Sequence, residues 1–423
     1  MTSDMQHLML SRRFLPLFVT QFLGAANDNL FKSALVMLIT FDLAARAGLN
    51  GPLMVTAAAG IFIAPFFLFS AWSGQVADRF DKAAIARVVK FAEIVIMGSA
   101  VLAFWLADPW ILMAVLFLMG VHSTVFGPVK YSILPQHLGV DELISANALI
   151  EAGTFLAILI GTIAGGLLVL TDNGIAIVST SVVGIAVLGF VASLFIPAAP
   201  GAGDSIKLNA NVFAGTMNML FHAAKQRDVF LSILGISWFW LVGATFISQF
   251  PTFAKVNLGG DEGVVTLFLA TFSIGIGIGS ALCSKILKGE ITAKYVPFAA
   301  LVMTVFMVDL YFASARVGLN GGVSVAAFLA TPLGMRIAAD LLLIAVCGGL
   351  YIVPLYAILQ SRGDEAYRAR DIAANNVYNA LFMVVSAVIV ALLLAVGVSV
   401  PGIFLCVAIA NLGAAALVMN LRR

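Results

Sequence analysis

The 423-residue chain is 62% hydrophobic and only 10% charged, with a formal net charge of +2. Soluble domains carry about 25% charged residues, so this composition excludes an ordinary soluble domain; the small net charge and lack of a basic stripe exclude a nucleic-acid partner. Cys283, Cys347 and Cys406 stand alone in apolar stretches, without pairing or metal-ligand spacing, and read as buried small side chains.

A helix needs about 20 apolar residues to cross a bilayer. By that measure twelve spans are expected, beginning near Phe14, Leu53, Phe91, Pro109, Leu143, Gly174, Val229, Val264, Tyr295, Ala338, Ile372 and Pro401. The ten-residue alternating segments of a transmembrane β-barrel are absent. The predicted fold class is therefore an all-α membrane protein. Ser11-Arg12-Arg13 precedes the first apolar run like a secretory or twin-arginine signal, but the run continues into a full span and reads as an uncleaved first helix.

The first span contains Phe22-Leu-Gly-Ala-Ala-Asn27-Asp28-Asn29-Leu-Phe-Lys32. A carboxylate at mid-membrane depth costs roughly 2.5–3.5 kcal/mol on insertion scales and usually faces a bundle interior or a water-filled path. Lys32 lies one turn on, on the same face, and is expected to pair with Asp28. Asn27, Asp28, Asn29 and Lys32 thus mark a polar pathway without naming its cargo.

After the second span comes Gly74-Gln-Val-Ala-Asp78-Arg79-Phe-Asp81-Lys82. Gly74 allows close helix approach, and Asp78 suits the positive N-terminal end of another helix. Glu93, Lys90 and Lys130 read as groups near or snorkelling to the aqueous surface, and His122 as a packing residue in span four. Asn147 and Glu151 on span five, and Asn375 and Asn379 on span eleven, are each four apart and share a helical face. They line an inner vestibule or bond between helices. On span seven, Trp238, Phe239 and Trp240 either pack or line an apolar wall of the path, where an aromatic face also suits a cationic amine. Gly275, Gly277 and Gly279 read as helix packing. Asp340 is expected to pair with Arg336, and Asp309 has no assigned role.

Two halves are expected, residues 1–196 and 228–423, joined by a linker over 197–227. That linker opens with the turn-rich Pro197-Ala-Ala-Pro-Gly-Ala-Gly-Asp-Ser and continues as an amphipathic helix carrying Val212, Phe213, Met217, Leu220 and Phe221. An internal repeat supports the division. Tyr131-Ser-Ile-Leu-Pro-Gln136 resembles Tyr356-Ala-Ile-Leu-Gln360, and Ile144-Ser-Ala-Asn147 matches Ile372-Ala-Ala-Asn375, pairing spans four and five with ten and eleven. If the N-terminus is cytoplasmic, only Arg46, Lys255, Arg316 and Arg336 fall on the far side and Lys32 within the membrane. All other Lys and Arg, including Lys207, Arg422 and Arg423, are then cytoplasmic, and so are both termini.

The loop Gly74–Lys82 resembles the G-x-x-x-D-R-x-G-R-[RK] signature of the major facilitator superfamily, with Asp81 in place of the second glycine. Within that superfamily the chain is similar to bacterial lysophospholipid transporters and to the transporter modules fused to acyltransferase and acyl-carrier-protein synthetase domains. The segments that carry this are Gln21–Asn29, Gly74–Asp78, Pro128–Leu134 and Ala146–Ala152. The resemblance implies twelve helices in two six-helix halves, a bacterial inner-membrane location and a lysophospholipid cargo, lysophosphatidylethanolamine foremost, flipped inward for reacylation. It also implies a cytoplasmic acyltransferase/acyl-ACP synthetase as partner. The expected substrate residues are Asn27, Asp28, Asn29, Lys32, Asn147, Glu151, Trp240, Asn375 and Asn379, with Gly74, Asp78 and Arg79 as a conformational latch. No cofactor or metal is expected, and no catalytic motif occurs. The competing readings are a proton-coupled exporter of small amphiphiles, with Asp28 as proton carrier, and a non-transporting scaffold, which has no use for a buried charged pair.

Overall fold

The computed structural model describes residues 3–203, 206, 208–209, 211–314 and 322–421. Asp204, Ser205, Lys207, Arg316, Arg422 and Arg423, which entered the linker and charge-bias expectations, lie outside the described residues. Twelve long helices build the described fold: α1 (Leu15–Leu38), α2 (Gly51–Arg79), α3 (Lys82–Leu106), α4 (Pro109–His137), α5 (Leu143–Leu168), α6 (Gly174–Leu194), α7 (Arg227–Thr252), α8 (Glu262–Leu287), α9 (Val296–Ser314), α10 (Pro332–Arg362), α11 (Arg368–Ala395) and α12 (Val400–Val418). A separate linker helix, Val212–Lys225, stands between α6 and α7. Among the described residues there is no β-strand, only one isolated bridge between Gly260 and Val323.

Eleven of these helices are long and apolar enough to cross a membrane. The exception is α1: its 24 residues reach roughly 36 Å at 1.5 Å each, but Asn27, Asp28, Asn29 and Lys32 dilute its hydropathy. Three starts differ from expectation. α3 begins at Lys82 rather than near Phe91, α10 at Pro332 rather than Ala338, and α11 at Arg368 rather than Ile372. Capping chemistry, invisible to a hydropathy count, sets the first two. Asp81 accepts from Ala84 N at 2.7 Å, and Thr331 accepts from Gly334 N at 2.9 Å with Pro332 in the first turn.

Each half uses the same packing. α1 lies on α5 and α6, α2 on α4, and α3 on α4 and α6; correspondingly α7 lies on α11 and α12, α8 on α10, and α9 on α10 and α12. The first helix of each half also ends in one π-type turn, Ile39–Leu43 and Phe253–Asn257. Small residues set the closest crossings, since backbones approach only where side chains are absent. A side chain at Gly161 or Gly165 of α5 would strike the Ala26 or Leu30 carbonyl of α1. Gly275 and Gly279 of α8 meet α10 in the same way, whereas Gly277 faces Ala152 of the other half.

The two halves meet through α5 with α8 and α10, α2 with α11, and α4 with α10 and α11, while α1 and α7 barely touch. The contacts Asp78–Arg370, Asn147–Gln360 and Ser145–Ser284 close the bundle at the end that carries the linker.

Candidate functional site

The polar residues of α1 part company around the helix. Asn27 is fully buried and donates to Glu93 Oε1 of α3 at 2.7 Å. Glu93 Oε2 accepts from Lys90 and lies 3.1 Å from His122 Nε2 of α4. All four side chains are buried, so Lys90, Glu93 and His122 belong to the interior, contrary to the surface and lone-packing readings. Lys90 has a slot of its own. Its Nζ passes where a Cβ on Gly24 of α1 would sit 3.2 Å away, and its tail fills the space beside Gly189 of α6. An ammonium withdrawn from water needs a paired carboxylate, and Glu93 one turn on provides it.

Asp28 faces elsewhere. Its Oδ2 accepts from Ser123 of α4 at 2.6 Å, and its buried Oδ1 accepts no hydrogen bond among the described residues. The expected Asp28–Lys32 ion pair is not formed. Among the described residues no carboxylate lies within 4 Å of Lys32, whose Nζ instead sits 5.3 Å from the centre of the Phe62 ring. Helical spacing alone put the two on one face, but Ser123 offers Asp28 a closer partner. Phe18, Phe22, Ala25, Asp28, Lys32 and Val36 form a half-buried stripe at three- and four-residue steps. Lys130 of α4 is also half-buried, without a carboxylate within 4 Å among the described residues, and within electrostatic reach of both Asp28 and Glu151. Asn29 turns back to its own helix, donating to the Ala25 carbonyl at 2.8 Å.

The remaining expected residues divide between closure and path. Asn147 and Gln360 exchange two hydrogen bonds, at 2.7 and 3.0 Å, between α5 and α10. Asn379 accepts from Ser237 of α7 at 2.8 Å. Both are thereby tied up between helices. Glu151 accepts from the Tyr131 hydroxyl at 2.6 Å and keeps Oε2 without a partner, and neither amide atom of buried Asn375 makes a hydrogen bond among the described residues. Trp240 stacks on Phe155 with ring centres 5.8 Å apart and donates to Tyr356 at 3.4 Å. Trp238 is a packing residue, donating to Asn411 of α12 at 2.7 Å. Arg336 pairs with Asp309 of α9 rather than with Asp340, which fixes the expected local pair differently and gives Asp309 a partner.

At the closed end, Asp78 of α2 meets the start of α11. Its Oδ1 accepts from Ala369 N at 3.0 Å and its Oδ2 from Arg370 Nε at 2.7 Å. Gly74 makes this possible, because a Cβ there would stand 2.9 Å from both Ala373 Cβ and Arg370 Cα. The repeat-related Tyr131 and Tyr356 stack face to face, 4.4 Å apart, and Ser145 of α5 shares a 2.7 Å hydrogen bond with Ser284 of α8.

Residues 17–387 match the family profile described as Major Facilitator Superfamily. The chain belongs to that superfamily. It is accordingly a multi-pass membrane transporter and not an enzyme. Among curated proteins it is 29% identical over 371 residues to Lysophospholipid transporter LplT of Serratia proteamaculans (strain 568), covering 86% of this chain and 84% of that one. It is 30% identical over 388 residues to the protein of the same name from Escherichia coli O157:H7, covering 90% and 89%. Among solved structures it resembles the human organic anion transporter MFSD10 (TETRAN), with TM-score 0.72, 12% identity and 96% and 99% coverage. It also resembles a bacterial homologue of the iron transporter ferroportin in an outward-facing state, with TM-score 0.68, 14% identity and 97% and 99% coverage. These likenesses concern the fold.

The superfamily signature is altered at Asp81, Lys82 and Ala83, and the first change has a local reason. Asp81 has an ordinary negative φ of −61°, caps α3, and accepts from Ala199 N at 2.8 Å, fixing the linker's entry. Arg79, grouped with the latch in the sequence, donates to the Ile206 carbonyl of the linker at 3.2 Å. Lys90, Glu93, His122, Ser123, Lys130, Tyr131, Tyr356 and Gln360 are among the polar residues that sequence reasoning left out of the site.

Proposed function

We propose that this transporter moves lysophospholipid, lysophosphatidylethanolamine foremost, from the outer to the inner leaflet of a bacterial inner membrane. The curated relatives named lysophospholipid transporters support the cargo class. The observation that carries the reading is the unfilled polar set beside the accessible stripe of α1. Among the described residues Asp28 Oδ1 is without a donor, and Lys32 and Lys130 are without a carboxylate within 4 Å. A phosphoethanolamine headgroup supplies the complements: its phosphate for the two ammonium groups and its own ammonium for Asp28. Glu151 Oε2 and Asn375 offer further unfilled polar atoms. Trp240, with buried Phe155 stacked behind it, gives a single acyl chain an apolar wall. Asn27 supports the site from behind through Glu93.

In this proposal residues 1–196 and 228–423 are the two rocking halves, 197–227 is the cytoplasmic linker, and both termini are cytoplasmic, as the basic bias favours. The end closed by Asp78 is then the cytoplasmic one. A cytoplasmic acyltransferase/acyl-ACP synthetase consumes the product. Uptake of labelled lysophosphatidylethanolamine into vesicles, assayed with and without a proton gradient, tests this; absence of uptake in both conditions would overturn it. His122 beside Glu93 favours a second reading, a proton-coupled exporter of small amphiphiles. That reading requires strict loss of transport when the gradient is collapsed.

A further inference from the structure

The linker helix Val212–Lys225 has two unlike faces. Gly215, Met219 and Ala223 are buried against the bundle. Phe213, Met217 and Phe221, four apart and therefore aligned, are 78%, 49% and 60% exposed. The buried face fixes the helix's height. Gly215 sits where an added Cβ would be 3.9 Å from Ala71 Cβ and 3.4 Å from Gln75 Nε2 of α2. The residue next to Ala71 is Trp72, 40% exposed, and tryptophan is enriched at the membrane–water boundary. The apolar stripe is therefore continuous with the membrane belt of α2 at interfacial depth. Exposed Lys225 and Arg227 follow it, as expected of a helix facing anionic headgroups.

On its inner side the same helix reaches the junction of the halves. The His222 imidazole stacks on the Tyr367 ring at 4.1 Å with a 21° tilt, and the Arg370 guanidinium lies 3.5 Å from the centre of that ring. Two groups so close to one ring centre must occupy opposite faces, so Tyr367 is sandwiched between them. Arg370 is in turn the partner of Asp78.

We propose that the linker helix docks its Phe213–Met217–Phe221 face on the lipid surface and, through His222 and Tyr367, braces Arg370 against Asp78. The docking stands whatever the cargo; the bracing rests on the α2–α11 junction acting as the latch proposed above.

The test uses the full-length protein, with its three cysteines replaced by Ser, reconstituted in phosphatidylethanolamine–phosphatidylglycerol vesicles. A spin label at Met217→Cys should be relaxed more strongly by oxygen than by a water-soluble nickel chelate, and one at Asn218→Cys the reverse. Stronger relaxation of the Met217 label by the chelate overturns the docking. Protection from both reagents, the result if a second copy or another protein covered the face, overturns it as well. For the bracing, labels at Phe80→Cys and Glu365→Cys report the α2–α11 separation. His222→Ala should add a longer-distance population, and His222→Phe, which keeps a stacking ring, should restore the parent distribution. An unchanged distribution in His222→Ala overturns the bracing while leaving the docking and the cargo reading untouched.

Discussion

Lys90 is the residue around which the N-terminal cluster is built: an ammonium with no exposed surface, admitted by two glycines and matched by Glu93. Removing one partner of such a pair leaves an uncompensated buried charge, at a cost of about 3–5 kcal/mol. Glu93→Gln should therefore lower the thermal midpoint in detergent markedly. Asp28→Asn and Lys130→Ala, which alter half-buried groups, should leave that midpoint near wild type yet depress lysophospholipid uptake. Uptake at the wild-type rate by both path variants would remove Asp28 and Lys130 from the headgroup site. The difference between these residues was not legible in the sequence. A hydropathy count began the third span at Phe91, which stranded Lys90 at the surface and drew Glu93 toward it. His122 looked solitary because its partner lies on another helix. Asp28 was legible, since an acid within an apolar run is costly wherever its neighbours turn out to be.

At the scale of elements, the sequence marked Asp78 as a carboxylate suited to the positive end of another helix, and the structure identifies that helix as α11. Gly74 and Asp78 occur at the end of a span, and what they require, a helix start within reach, is a local matter. A carboxylate at a helix N-terminus contributes about 0.3–1 kcal/mol and up to about 2 when partly buried; a charged hydrogen bond contributes about 1.5–3 kcal/mol. Since about 1.4 kcal/mol is tenfold in an equilibrium, Asp78→Ala should shift the open–closed ratio at this end by roughly tenfold or more. The Phe80–Glu365 label pair reports it as a longer mean distance, and an unchanged distance would leave Asp78 as an ordinary loop charge. The linker adds a pH dependence. Burial foremost, then the Arg370 charge, holds the His222 imidazole below its usual range, with Lys225 acting in the same sense and Asp364 opposing. A base depressed in the docked state stabilises docking fully above its undocked value near 6.5. That contribution is lost as pH falls from there through the depressed value. Acidification below about 6.5 should accordingly lengthen the same distance, and His222→Phe should abolish that response.

Across the whole molecule, the duplicated plan was visible in two short matches, and the packing gives them a physical meaning. Tyr131 and Tyr356, equivalent in the repeat, stack on one another; two equivalent residues touch only where the axis relating the halves passes between them. The partnering of Asn147 with Gln360 rather than with an open vestibule was not legible, because it depends on which end of the bundle is closed. That closure bears on energetics. A transporter needs an ion gradient only if its cargo must be moved uphill. A lipid concentrated in the outer leaflet and reacylated inside runs downhill, since consumption keeps the product scarce. Of the buried acids, Glu93 is engaged by Lys90, Asn27 and His122, whereas Asp28 meets only Ser123 and Glu151 only Tyr131 among the described residues. In the proposed cycle the lipid's own ammonium, rather than a travelling proton, fills the open oxygen of Asp28. Lysophosphatidylethanolamine uptake should therefore persist when an ionophore collapses the proton gradient, and His122→Gln should retain it. Strict ionophore sensitivity, joined with gradient-driven accumulation of a soluble amphiphile, would instead make the His122–Glu93 contact a proton relay and the protein an exporter.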